Sequence, residues 1–149
     1  MTNLRNNPSS WSLTRYLDGS HEQVRASLSE APTPLDGLRA WMSNVVFMRG
    51  DQSMQRGCMA MNSAVELGRD DAQVRGLLES QHSRMSRLLI EIIEQAQQQS
   101  QVRSDLSAEK LAKTLFVFVA GLLGTSKMLR DTVDTEEMVE AALQMVAPV

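Results

Sequence analysis

The sequence predicts an all-α domain, and three observations carry that expectation. From Val74 to Ala96 the apolar residues return every three or four positions. They run Val74, Leu77, Leu78, Met85, Leu88, Leu89, Ile92, Ile93 and Ala96, with Gln81 in the same register, which is the rhythm of one helix face. Residues suited to starting a helix precede most of the other apolar stretches, and no segment reads as a strand. Aromatic residues make up only 4% while methionine occurs ten times, so the core is built largely from Leu, Val, Ala and Met, as in packed helices.

Taken in order, residues 1 to 10 read as a polar tail and 11 to 149 as one domain. From Trp11 to about Ser29, Leu13, Leu17, Val24 and Leu28 recur at near-helical intervals, with Gly19-Ser20 as a candidate break. Thr33-Pro34-Leu35-Asp36 opens a second helix. Threonine caps free amides, proline suits the first turn, and Asp36 reaches back as in a capping box. Its apolar face holds Leu38, Trp41, Met42, Val45 and Met48, and Gly50 is the expected stop. A short helix follows over about Gly57 to Leu67, ending near Gly68. Asp70-Asp71 then caps the longest helix, to about Gln99, with the glutamine-rich stretch from Gln95 to Gln101 as its polar end. Ser107, with Glu109 in the first turn, opens a helix from about Ala108 to Leu129. Asp134 with Glu137 opens a last one carrying Met138, Val139, Ala142, Leu143 and Val146.

The helix from Ala108 differs in kind. Between Leu115 and Leu123 it is apolar all round, so neither side there suits water. One side has the chain's own core to bury it. Gly121 and Gly124 leave a shallow surface on which a second backbone can approach, and too few helices remain to cover it. A partner chain is expected there.

Composition excludes several classes. A chain of 149 residues suits one domain able to bury a core without staples, and 42% apolar with 22% charged residues is neither disordered nor membrane-embedded. The lone Cys58 cannot form an intrachain disulfide and fits a reducing cytoplasm. The first residues contain no apolar stretch of the signal-peptide kind, and the run from Leu115 to Leu123 is too short to cross a bilayer. A cytoplasmic location without membrane contact is the expectation. The net charge is -3 and arginines are interleaved with acids, as at Arg15, Asp18, Glu22 and Arg25, so no basic stripe exists to neutralise phosphates.

The segment Arg56-Gly57-Cys58-Met59-Ala60-Met61-Asn62-Ser63-Ala64-Val65-Glu66-Leu67 is followed by Asp70, Asp71 and Val74 and then the long helix. After that comes Val102-Arg103-Ser104-Asp105-Leu106 leading into Leu111-Ala112. In order and spacing this progression resembles the C-terminal part of TetR/AcrR-type transcription regulators, over roughly residues 12 to 147. The resemblance implies an effector-binding and dimerisation domain whose last two helices pair with their counterparts as an intermolecular four-helix bundle. The dimer contact would then hold Leu115, Val119, Leu122, Gly121, Gly124, Met128, Val139 and Leu143. Family members begin with about fifty residues holding a helix-turn-helix. The ten or so residues before Trp11 leave no room for one, so the chain is expected to lack its own DNA reader and not to bind DNA directly.

The resemblance also implies a small-ligand space among the second, third, long and penultimate helices. Candidate lining residues are Trp41, Val45, Met48, Met61, Met85, Leu89, Phe116 and Phe118, methionine being adaptable enough to suit varied apolar effectors. Helical spacing alone would equally make each a plain core residue. Cys58, beside Arg56 near a helix start, is a candidate thiol sensor, or else a small buried apolar residue. His82 lies next to the apolar stripe and within reach of a polar ligand group, whereas His21 has only Glu22 nearby.

No metal-ligand spacing, phosphate loop or nucleophile-base set is present, so neither enzyme chemistry nor a cofactor is expected. Two readings compete. The first is a ligand-responsive dimeric regulatory domain. The second is an interaction module that forms a mixed dimer with a full-length relative and blocks its DNA binding. Room for a ligand favours the first, and a filled core the second.

Overall fold

A computed structural model describes residues 8 to 47, 59 to 128 and 134 to 149. Six helices account for nearly all of them: α1 (Pro8–Ser29), α2 (Pro34–Phe47), α3 (Met59–Glu66), α4 (Ala72–Gln98), α5 (Ala108–Met128) and α6 (Thr135–Met145). Among the described residues there is no strand. α4 packs against α1, α2, α3 and α5, and α2 also reaches α5 and α6, so these two helices form the centre.

The first helix is longer than its apolar rhythm suggested. It begins at Pro8 and runs unbroken through Gly19, which costs it some stability but not continuity. Tertiary packing overrides that local weakness, because Leu13, Leu17, Val24 and Leu28 are all buried on one face. The second helix starts as its sequence dictates. The Asp36 amide donates to Thr33 Oγ1 at 3.1 Å, and the Thr33 hydroxyl donates to Asp36 Oδ2 at 2.7 Å. α1 and α2 meet closely at Gly37, where an added Cβ would stand 2.8 Å from the Leu28 carbonyl oxygen. The expected stop at Gly50 lies outside the described residues.

Both other carboxylate caps form. Asp71 Oδ1 accepts from the amides of Gln73 and Val74 at 2.9 and 3.1 Å, and Asp134 Oδ1 from those of Glu136 and Glu137 at 3.0 and 3.2 Å. The Ser107 hydroxyl accepts from the Lys110 amide at 3.3 Å at the start of α5. α4 ends in a Schellman turn. The Gln101 amide reaches back to the Ala96 carbonyl at 2.8 Å and the Ser100 amide to that of Gln97 at 3.0 Å, with Ser100 at a φ of 56°.

The main core gathers Leu38, Trp41 and Met42 of α2, Leu89, Ile92 and Ile93 of α4, Leu111, Leu115 and Leu122 of α5, and Val139 and Leu143 of α6. A smaller cluster of Leu13, Leu17 and Val74 joins α1 to the start of α4. The turn between α4 and α5 is tied down by polar groups. Gln97 Nε2 donates to the carbonyls of Arg103 and Leu106, both at 2.9 Å, and the Arg103 amide donates to the Val146 carbonyl, also at 2.9 Å. The Arg103 guanidinium grips Asp105 through two bonds of 2.7 and 2.6 Å.

Burial sorts the residues expected at the dimer contact into two groups. Leu115, Val119 and Leu122 of α5 and Val139 and Leu143 of α6 are at most 6% exposed, enclosed by their own chain. The spacing 115, 119, 122 follows one helix face, and 117, 121, 124 follows the opposite one. An all-round apolar run does not say which half its own core takes. The outward half carries Val117, 69% exposed, with Gly121 and Gly124. The side chain of Met128 lies outside the described residues.

Candidate functional site

A cavity of about 250 Å³ opens between α1, α2, α3, α4 and α5. α4 forms its floor through Leu78, Gln81, His82 and Met85, spaced so that all four project from one side of the helix. α5 contributes Phe116, Val119, Ala120 and Leu123, and α2 contributes Trp41 and Val45. α3 closes one side with Ala60 and Ala64, and α1 the other with Tyr16, Leu17, Ser20 and Val24.

Four of the eight candidate ligand residues stand on this surface: Trp41, Val45, Met85 and Phe116. Two do not. Leu89 has no exposed surface and belongs to the main core, and Phe118 packs against that core without reaching the cavity. Met48 and Cys58 lie outside the described residues, as does the side chain of Met61. The α1 wall was missed, because Leu17 and Val24 have a spacing that reads simply as core. Gln81 was recognised as part of the α4 stripe but not as a site residue, although a polar side chain in an apolar register is itself a signal.

The polar features of the cavity are few. No Asp, Glu, Lys or Arg lines it among the described residues. His82, largely exposed, borders the rim and meets the Phe116 ring edge-on, with centroids 4.8 Å apart and planes at 68°. Gln81 Oε1 is buried and has no hydrogen-bond partner among the described residues. Nearby, Arg84 on α4 holds Asp18 on α1 at 2.7 Å, fixing the α1 wall against the floor.

A cavity walled by aromatic and aliphatic side chains has the shape and lining that suit a small apolar molecule. Among the described residues no three His, Cys, Asp or Glu side chains stand together as a metal site, and no helix is long and apolar enough to cross a membrane. The described residues thus form an all-helical domain around an apolar cavity. Residues 34 to 142 match the family model of the tetracyclin repressor-like C-terminal domain, which spans well over half of the chain. The protein belongs to that family of regulatory domains in TetR-type transcription regulators. No curated protein and no solved structure matches it.

Proposed function

We propose that this domain is a ligand-responsive dimerisation module, in which a small apolar effector occupies the cavity and two copies pair through α5 and α6. The observation that carries the reading is the double role open to α5. Phe116, Val119, Ala120 and Leu123 face the cavity, while Val117, Gly121 and Gly124 face outward with no cover from the chain itself. On α6, Met138, Ala141 and Met145 share a face: the first two are half-buried, Met138 packing partly against the core, and Met145 is 70% exposed. An effector that binds one arrangement of α5 better than another shifts the population toward it, and the dimer surface shifts with it.

The alternative, an interaction module that only pairs with a full-length relative, uses the same outer face but leaves the cavity without a purpose. The cavity favours the first reading.

Gly121 provides the test. Nothing lies within 4 Å of a Cβ added there, so Gly121→Arg leaves the chain's own packing alone while placing a charge on the outward face. Sedimentation velocity at micromolar concentration is expected to give a dimer for the native protein and a folded monomer for Gly121→Arg. A native monomer under those conditions would overturn the pairing.

A further inference from the structure

We propose that the cavity is a joint between two separately packed parts of the domain, and that its occupant holds the smaller part closed. The inference rests on the reading of the cavity as an effector site and adds the device through which an effector acts.

Among the described residues the buried apolar side chains fall into two clusters. Leu13 and Leu17 of α1 and Val74 of α4 form the smaller one, with Tyr16, Ala60, Leu77 and Leu78 packed against it. The cavity lies on the seam. Leu17, Ala60 and Leu78 line it from the smaller cluster, and Trp41, Met85 and Phe116 line it from the main core. Two helices cross that seam: α1 passes from Leu17 to Val24 of the main core, and α4 from Leu78 to Met85.

The two parts are held with unequal strength. On the main side α1 is bound to α2, through the close approach of Leu28 to Gly37 and a 2.8 Å hydrogen bond from Asn44 Nδ2 to Ser27 Oγ. The smaller cluster has three buried side chains against twenty-one in the main core among the described residues, and a region with little apolar burial opens at lower free energy. Its helices carry weak points as well. Gly76 stands between Val74 and Leu77, Gly19 follows Leu17 by two positions, and a Cβ added at either meets nothing within 4 Å. The Asp18–Arg84 pair crosses the seam at the surface, where an exposed ion pair adds only weak resistance. Opening of the smaller part removes Leu17, Ala60 and Leu78 from the cavity wall. A ligand that needs that wall binds only the closed form and opposes the opening by mass action.

Backbone hydrogen exchange, followed by NMR on the whole chain where closing outpaces exchange, tests this. Without ligand, Leu17, Leu77 and Leu78 are expected to share one level of protection, well below that of Leu89, Ile93 and Leu115. Gly76→Ala should raise the protection of the first set about two- to fivefold, because alanine strengthens the helix that must open. Ethylbenzene is the probe, with its Kd measured by titration calorimetry. At a free concentration of about three times that Kd it should raise the protection of the first set about fourfold. Equal protection of the two sets, or a first set unmoved by Gly76→Ala or by bound ethylbenzene, overturns the joint and leaves the effector cavity standing. If calorimetry shows no binding of ethylbenzene, both fall.

Discussion

Ser100 occupies the left-handed region, φ 56°, at the position just past a helix end where glycine is the usual residue. Its Cβ makes that conformation unfavourable, and the Schellman bonds to Ala96 and Gln97 hold it there. Ser100→Gly relieves the strain but frees the unfolded chain, so the net gain should be about 0.5 kcal/mol. A urea midpoint that falls would show that the serine contributes something else. The neighbouring glutamines were the least legible residues in the sequence. Gln97 holds the α4–α5 turn through two carbonyls, and Gln101 Oε1 accepts from the Leu35 amide at the start of α2, 3.1 Å away. A polar tract gives no hint of such partners, because the acceptors lie on backbone brought close only by folding. Gln81 was placed on the α4 stripe by register, but register alone did not single it out as a cavity residue.

At the scale of elements, carboxylate caps and periodicity located the helices well, since both are local. Thr33, Asp71 and Asp134 each form the contacts that their positions imply. Orientation about the helix axis was less legible. For α4, polar residues on one side disclose the inner face. For α5 between Leu115 and Leu123 no polar residue does, so the expected contact mixed the buried Leu115, Val119 and Leu122 with the outward Gly121 and Gly124. The Arg103–Asp105 pair illustrates a connection between elements. The Arg103 guanidinium holds the Asp105 carboxyl below its ordinary value of 3.8, while the same residue's backbone amide clips the end of α6 at Val146. A depressed carboxyl stabilises the fold fully above its unfolded pKa, and that contribution disappears as pH falls through the lower folded value. Native protein should therefore lose more stability than Asp105→Asn when acidified from neutrality to below 3.8, as read from urea midpoints. Equal losses in the two would mean that the grip contributes nothing.

For the whole molecule, pairing and stability are expected to be one equilibrium. Covering Val117 and Met145 in a dimer adds apolar burial that the isolated chain lacks, and association that favours the folded state raises Tm with protein concentration. Over about a hundredfold range the native protein should show that rise, and Gly121→Arg should melt at a constant temperature. A native Tm insensitive to concentration would speak against pairing as a source of stability.

Along α5, neighbours in the chain answer to different masters: Phe116 borders the hollow and Val117 the exterior, Ala120 the hollow and Gly121 the exterior. A helix is a single stiff rod, so enlarging an inward residue rolls or displaces the outward ones too. Mutational drift on one side is thus written into the other. Under the pairing proposed above, a lineage that altered what fits inside would also redraw the face offered to a second copy, so diversification of the contents would carry isolation between sister copies with it.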